Sequence, residues 1–187
     1  IYSGTRLLGY LPQWTQDGGS VRVRETLSDV GLRDQLKEDI LTGPHRRNPK
    51  DTWITNFSKS RNMQYDGLSL EEIARLRKQD SVDALCDILL DDGLQLSMVG
   101  LGTNPQTLPE FVSHPLGMVG SDAVLLGEHP SPRTYGCFPV ILAEFVRAEK
   151  QLRLPEAIRK MTSFPAQRLG LKKRGVLRDG MKADIVV

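Results

Sequence analysis

What this 187-residue sequence lacks narrows its class. It has no excess of either charge: 25 Lys and Arg stand against 23 Asp and Glu, a formal net of +2, which leaves no footprint for nucleic acid. The one basic run, His45-Arg46-Arg47, lies between Gly43-Pro44 and Asn48-Pro49 and reads as a solvated loop. Cysteine is scarce. Cys86 and Cys137 make neither a disulfide framework nor a paired metal-ligand spacing, which points to a reducing compartment, the cytoplasm. No apolar run approaches the roughly 20 residues of a membrane-spanning helix, and no basic-then-apolar leader opens the chain, so no membrane association is expected. The three histidines, His45, His114 and His129, stand apart with no HxH or HxxxH spacing.

What is present is a composition of 39% hydrophobic and 26% charged residues, that of a soluble globular chain. It is long enough for one good-sized domain or for part of a larger barrel. The chain opens at Ile1 and stops within a strand-like run, Ala183 to Val187, so both ends read as cut.

After an opening rich in Gly, Pro and Trp, the pattern predicts a polar helix from about Val21 to Leu41 and a short β-run from Trp53 to Phe57. Ser69 and Glu72 stand at capping-box spacing ahead of a helix with Leu70, Ile73 and Ala74 on one face. The next helix opens at Ser81 with Val82, Leu85, Cys86 and Leu89 at i, i+3, i+4 and i+7, which assigns Cys86 to the core. A strand from Leu94 to Val99 follows, then turns at Asn104-Pro105 and Leu108-Pro109, then a strand ending at Met118-Val119-Gly120. Phe138, Ile141, Leu142 and Phe145 mark one further amphipathic helix, with Cys137 packing at its entry. Leu154, Ile158 and Met161 mark another, entered through Pro155. Strands alternating with helices predict an α/β fold with a parallel sheet, either a barrel or a doubly wound sheet.

In such folds the active site gathers at the carboxyl ends of the strands. Asp122 falls two residues beyond such an end, as a catalytic carboxylate or as a turn carboxylate. The loop that follows, Leu125 to Pro139, holds two glycines and three prolines together with His129 and Arg133, more punctuation than a bare connector needs. A titratable ring and a planar fork donor are thereby placed near the same strand end. Arg133 as a surface residue and His129 as a loop-structuring residue are the plainer readings.

These residues carry a resemblance. GSDA, HPSPRTYGCFPVIL and LPEAIRKMTSFPAQRLGLKKRGVLRDGMKADIVV, supported upstream by TRLLGYLPQW with Gly18-Gly19, SLEEIA and VDALCDILLDDG, resemble the carboxyl-terminal part of the D-aminoacylases. These are the N-acyl-D-amino-acid deacylases of the amidohydrolase superfamily. The resemblance spans nearly the whole chain and is strongest over residues 116–187.

The resemblance implies part of a metal-dependent (β/α)8 barrel of TIM type over residues 1–175, with residues 176–187 beginning a small β-sandwich domain. It implies Zn²⁺ in the full-length parent, with ligands on earlier strands and none in this chain, so that the chain by itself is expected to be inactive. Asp122 would be the proton-transferring acid, Arg133 the group that grips the substrate α-carboxylate, and His129 a second substrate-binding candidate. The sequence HPSPR departs from the family's HPR pattern by insertion. The substrate would be a small N-acyl amino acid, cleaved to a carboxylate and a free D-amino acid. A dihydroorotase-like or hydantoinase-like cyclic-amide hydrolase, and a non-catalytic binding or scaffolding fragment, remain the alternatives. The oligomeric state is not legible.

Overall fold

The computed structural model describes residues 2–43, 47–101, 106–125 and 127–186. The expected loop at His45-Arg46 and the turn at Asn104-Pro105 lie outside them. The chain forms two compact units, residues 1–102 with 124–131 and residues 103–123 with 132–187.

The first unit is built on a three-stranded sheet in the order β1 (Tyr2–Arg6), β3 (Ser97–Leu101), β2 (Thr52–Thr55). Both neighbours run antiparallel to β3, with Gly4 opposite Val99 and Ile54 opposite Met98. The expected parallel arrangement is therefore corrected for this sheet. A parallel pair needs a crossover that returns the chain to its starting end, as one helix does. Here two helices, α3 (Leu70–Arg77) and α4 (Ser81–Asp92), lie between β2 and β3, and the second sends the chain back the other way.

Local chemistry fixes the helix boundaries. The expected single helix from Val21 to Leu41 is two, α1 (Gly19–Ser28) and α2 (Val30–Thr42). Asp29 breaks it by taking an extended backbone and accepting the Leu32 amide as the N-cap of α2. Ser69 and Glu72 form the capping box of α3, as their spacing predicts. Asp80 caps α4 by accepting from the Val82 and Asp83 amides. The predicted stripe Val82, Leu85, Cys86 and Leu89 is buried, together with Ile88, against Leu27, Leu36, Ile54, Leu70 and Ile73. Each such aliphatic side chain contributes about 1.5–3 kcal/mol relative to exposure. The opposite face of α4 is bound to α2: Arg33 donates to Asp87 at 2.7 Å and Lys37 to Asp83 at 2.8 Å.

The second unit is helical: α5 (Leu108–Ser113), α6 (Arg133–Val140) continuing into a π-helical segment Ile141–Ala148, α7 (Leu154–Met161) and α8 (Ser163–Arg168). Its core joins Ile141, Phe145, Leu152 and Ala157, with Leu108, Val112, Val119 and Met161 packed around them. Five differences from the sequence reading matter here. Leu108-Pro109 opens a helix, with proline in a first-turn position that needs no amide hydrogen. Residues 117–125 form no strand. Phe138 and Leu142 face outward while Ile141 and Phe145 face inward, so the pair four apart that meets the core is the second and not the first. On α7, Leu154 and Ile158 are exposed and Ala157 and Lys160 are buried, so the helix turns a different face to the core from the one its leucine and isoleucine suggested. Residues 182–186 likewise form no strand among the described residues, since no ladder partner meets them there. The ion pair of Arg174 with Asp184 ties this end back instead.

Candidate active site

The segment from His114 to Ala123 is irregular and is held by side chains rather than by a ladder. Ser121 and Ala123 flank Asp122 in a tight turn, with the Ser121 hydroxyl accepting the Ala123 amide at 3.3 Å. Asp122 takes the left-handed backbone conformation, φ 46°. Aspartate tolerates that region better than most residues, and held non-glycine residues of this kind gather at functional sites. The conformation is compatible with presenting the carboxylate outward, and the Asp122 side chain is 84% exposed.

One face of α6 meets this turn. Arg133 and Cys137 are four residues apart and so share a side of the helix. Arg133 donates to the Asp122 carboxylate at 2.8 Å, and the Cys137 thiol approaches the Gly120 carbonyl at 3.7 Å. The structure thus brings Asp122 and Arg133 together. It also corrects the local setting of Arg133, which opens a helix instead of lying within a loop that runs to Pro139.

His129 belongs to the first unit. Its ring lies over Gly67, where a Cβ would sit 2.8 Å from ring carbon Cδ2, and its Nε2 is 3.8 Å from Asp66. Asp66 is nearly buried at the side chain, with one oxygen facing the Phe57 amide at 3.5 Å and the other without a hydrogen-bond partner. Gly67 has φ +81°, a conformation and a contact that only glycine accepts easily. Asp66 was not marked in the sequence. The dipeptide Asp66-Gly67 reads there as an ordinary turn.

The donor set of the described residues does not fit a metal centre. No three His, Cys, Asp or Glu side chains converge among them. His114 uses Nδ1 to accept the Leu116 amide at 3.2 Å, and Cys86 is sealed in α4, where burial pushes its thiol up to about 12. His45 lies outside the described residues. None of the described helices is long and apolar enough to cross a membrane.

The profile of the Amidohydrolase family matches residues 51–187. An N-acyl-D-aspartate deacylase of Alcaligenes xylosoxydans xylosoxydans is 47% identical over 75 residues, covering 40% of this chain and 15% of that protein. An N-acyl-D-glutamate deacylase of the same organism is 36% identical over 121 residues, covering 65% of this chain and 24% of that protein. Among solved structures, the N-acyl-D-glutamate deacylase of Bordetella bronchiseptica, complexed with zinc and a phosphonate mimic of the tetrahedral intermediate, superposes with a TM-score of 0.65 at 25% identity. That match covers 87% of this chain and 36% of the other. The chain therefore spans a quarter or less of the length of these two curated relatives.

Proposed function

Because the chain belongs to the Amidohydrolase family, we propose that it supplies the carboxyl-terminal part of an N-acyl-D-amino-acid deacylase, with Asp122 as its proton-transferring group and Arg133 as its carboxylate-binding group. The observation that carries the reading is the Asp122–Arg133 pair, an outward-facing carboxylate on a strained turn held by a guanidinium from the first turn of α6.

The chemistry asks for both groups. Amide hydrolysis needs a base to take a proton from the attacking water and an acid to give one to the leaving nitrogen. A single carboxylate can do both in turn, because the proton taken in the first step is the one delivered in the second. Asp122 Oδ accepts the proton as the new C–O bond forms, then passes it to the amine as the C–N bond breaks. A guanidinium beside it suits the α-carboxylate of an N-acyl amino acid, since its planar fork matches a carboxylate in two-point contact. A substrate carboxylate arriving at Arg133 would share or replace the Asp122 contact.

In this reading the metal is divalent, zinc as in the Bordetella relative, and its ligands lie outside the described residues of this chain. When bound it would activate water at neutral pH. Residues 1–175 would belong to the part of the parent that carries the (β/α)8 barrel, with the antiparallel sheet of β1, β3 and β2 an addition to its parallel strands, and residues 176–187 to an adjoining β-sandwich. His129, in the first unit, is proposed as a substrate-binding residue on the resemblance alone. The compartment proposed is the cytoplasm, on the sequence's two cysteines alone.

A substrate comparison on the complete enzyme bearing this segment tests the reading. N-acyl-D-aspartate, N-acyl-D-glutamate and a neutral N-acyl-D-amino acid would be set against their L-enantiomers and against dihydroorotate and hydantoins. Turnover confined to the D-acyl compounds supports it; turnover confined to the ring amides makes the protein a cyclic-amide hydrolase instead.

A further inference from the structure

We propose that Lys160, assisted by Arg159, is a positioning residue for Asp122, acting through the irregular segment 114–119. The inference rests on the proton-transfer role given to Asp122 above.

Lys160 is 0% exposed, an unusual place for an ammonium unless several acceptors meet it. Here they do. Nζ donates to the His114 carbonyl and to the Gly117 carbonyl at 3.0 Å, with Glu156 Oε1 3.9 Å away. The backbone of the same residue completes the grip, since the Lys160 carbonyl accepts the Val119 amide at 3.2 Å. Next to it, the Arg159 guanidinium donates to the Pro115 carbonyl at 3.1 Å and is braced by Glu156 and by the face of Phe164. The last turn of α7 thus takes the carbonyls of residues 114, 115 and 117 and the amide of residue 119.

Segment 114–119 forms no strand, so these contacts supply what a ladder would otherwise supply. The path also leaves no room for a side chain at residue 117. A Cβ on Gly117 would lie 2.7 Å from the Phe111 carbonyl and 3.5 Å from Lys160 Nζ. Three residues beyond Val119 is Asp122, held on its far side by Arg133. Two helices therefore set where the carboxylate stands: α6 by its side chain and α7 by the backbone leading to it. A carboxylate that must meet both water and leaving nitrogen is sensitive to displacement, and a misplacement of about 1 Å can cost on the order of 100-fold.

The test is a double-mutant cycle in the complete enzyme bearing this segment. Lys160→Met is expected to lower kcat by roughly 10- to 100-fold with KM little changed, and Lys160→Gln, which keeps N–H donors, to recover part of the loss. In an Asp122→Asn background neither substitution should lower kcat further. A merely structural lysine would give losses that multiply with that of Asp122→Asn, and this outcome overturns the positioning role while leaving the role of Asp122 intact. Near-normal kcat for Asp122→Asn alone would remove the proton-transfer reading and the positioning role with it. Should both Lys160 variants fail to fold, the cycle with Arg159→Ala decides in the same way, with a smaller loss that either vanishes in the Asp122→Asn background or persists.

Discussion

The Arg133 guanidinium donates to the Asp122 carboxylate at 2.8 Å across a sequence separation of 11 residues. The contact joins a left-handed turn to the first residue of a helix, and it gives each group two possible partners during a reaction cycle, the other residue or the substrate.

That double role makes the effect of Arg133→Met divisible. One part, the release of Asp122, should fall equally on an N-acyl-D-amino acid and on its neutral amide. A further loss of about 1.5–3 kcal/mol, or roughly 10- to 150-fold in kcat/KM, should fall on the acid alone. Arg133→Lys should return only part of it, because an ammonium lacks the fork. Equal losses for acid and amide would mean that Arg133 orients Asp122 and does not grip substrate.

The two thiols should react very differently. Burial pushes Cys86 up to about 12, while the half-buried Cys137 is raised less far and lies on α6. At pH 8 iodoacetamide should modify Cys137 in the native protein and Cys86 only after unfolding, as read by peptide mass. Similar native rates at both would contradict the packing of α4.

The sequence showed much of the first unit and less of the second. The capping box at Ser69 and Glu72 and the stripe on α4 are local signals, and local physics carried them into the structure. The direction of β3 was not local, because it depends on how many helices intervene. Lys160 was hidden for a different reason. A lysine is assigned to the surface by default, and only the carbonyls of His114 and Gly117, more than 40 residues away in sequence, make its burial possible. Asp122 and Arg133 were legible as residues, but their hydrogen bond was not.

The joint between α4 and the 3-10 turn Ser60–Tyr65 should be acid-sensitive. Asp92 accepts from the Ser58 amide at 2.7 Å, the Lys59 amide at 3.1 Å and Asn62 at 2.9 Å. Burial opposes its charge, yet these donors outweigh burial and hold the carboxyl below its ordinary value. Neighbouring Asp91 is held lower still by Arg61 and Asn62. A depressed folded pKa stabilises above the unfolded value of about 3.9 and ceases to do so as pH falls through the folded value. Amide exchange at Ser58 and Lys59 should therefore accelerate, relative to the rest of the unit, as pH drops below about 4. Asp92→Ala should cost about 1.5–3 kcal/mol at neutral pH, and exchange unchanged by either would refute the cap.

The most direct test is kcat for Asp122→Asn in the complete enzyme bearing this segment, measured on an N-acyl-D-amino acid with fold and metal content verified against the parent. The substitution keeps the size of the side chain and removes its capacity to take and return a proton. The account predicts a fall of roughly 10²- to 10⁴-fold. A folded, metal-replete variant with kcat close to that of the parent would contradict it.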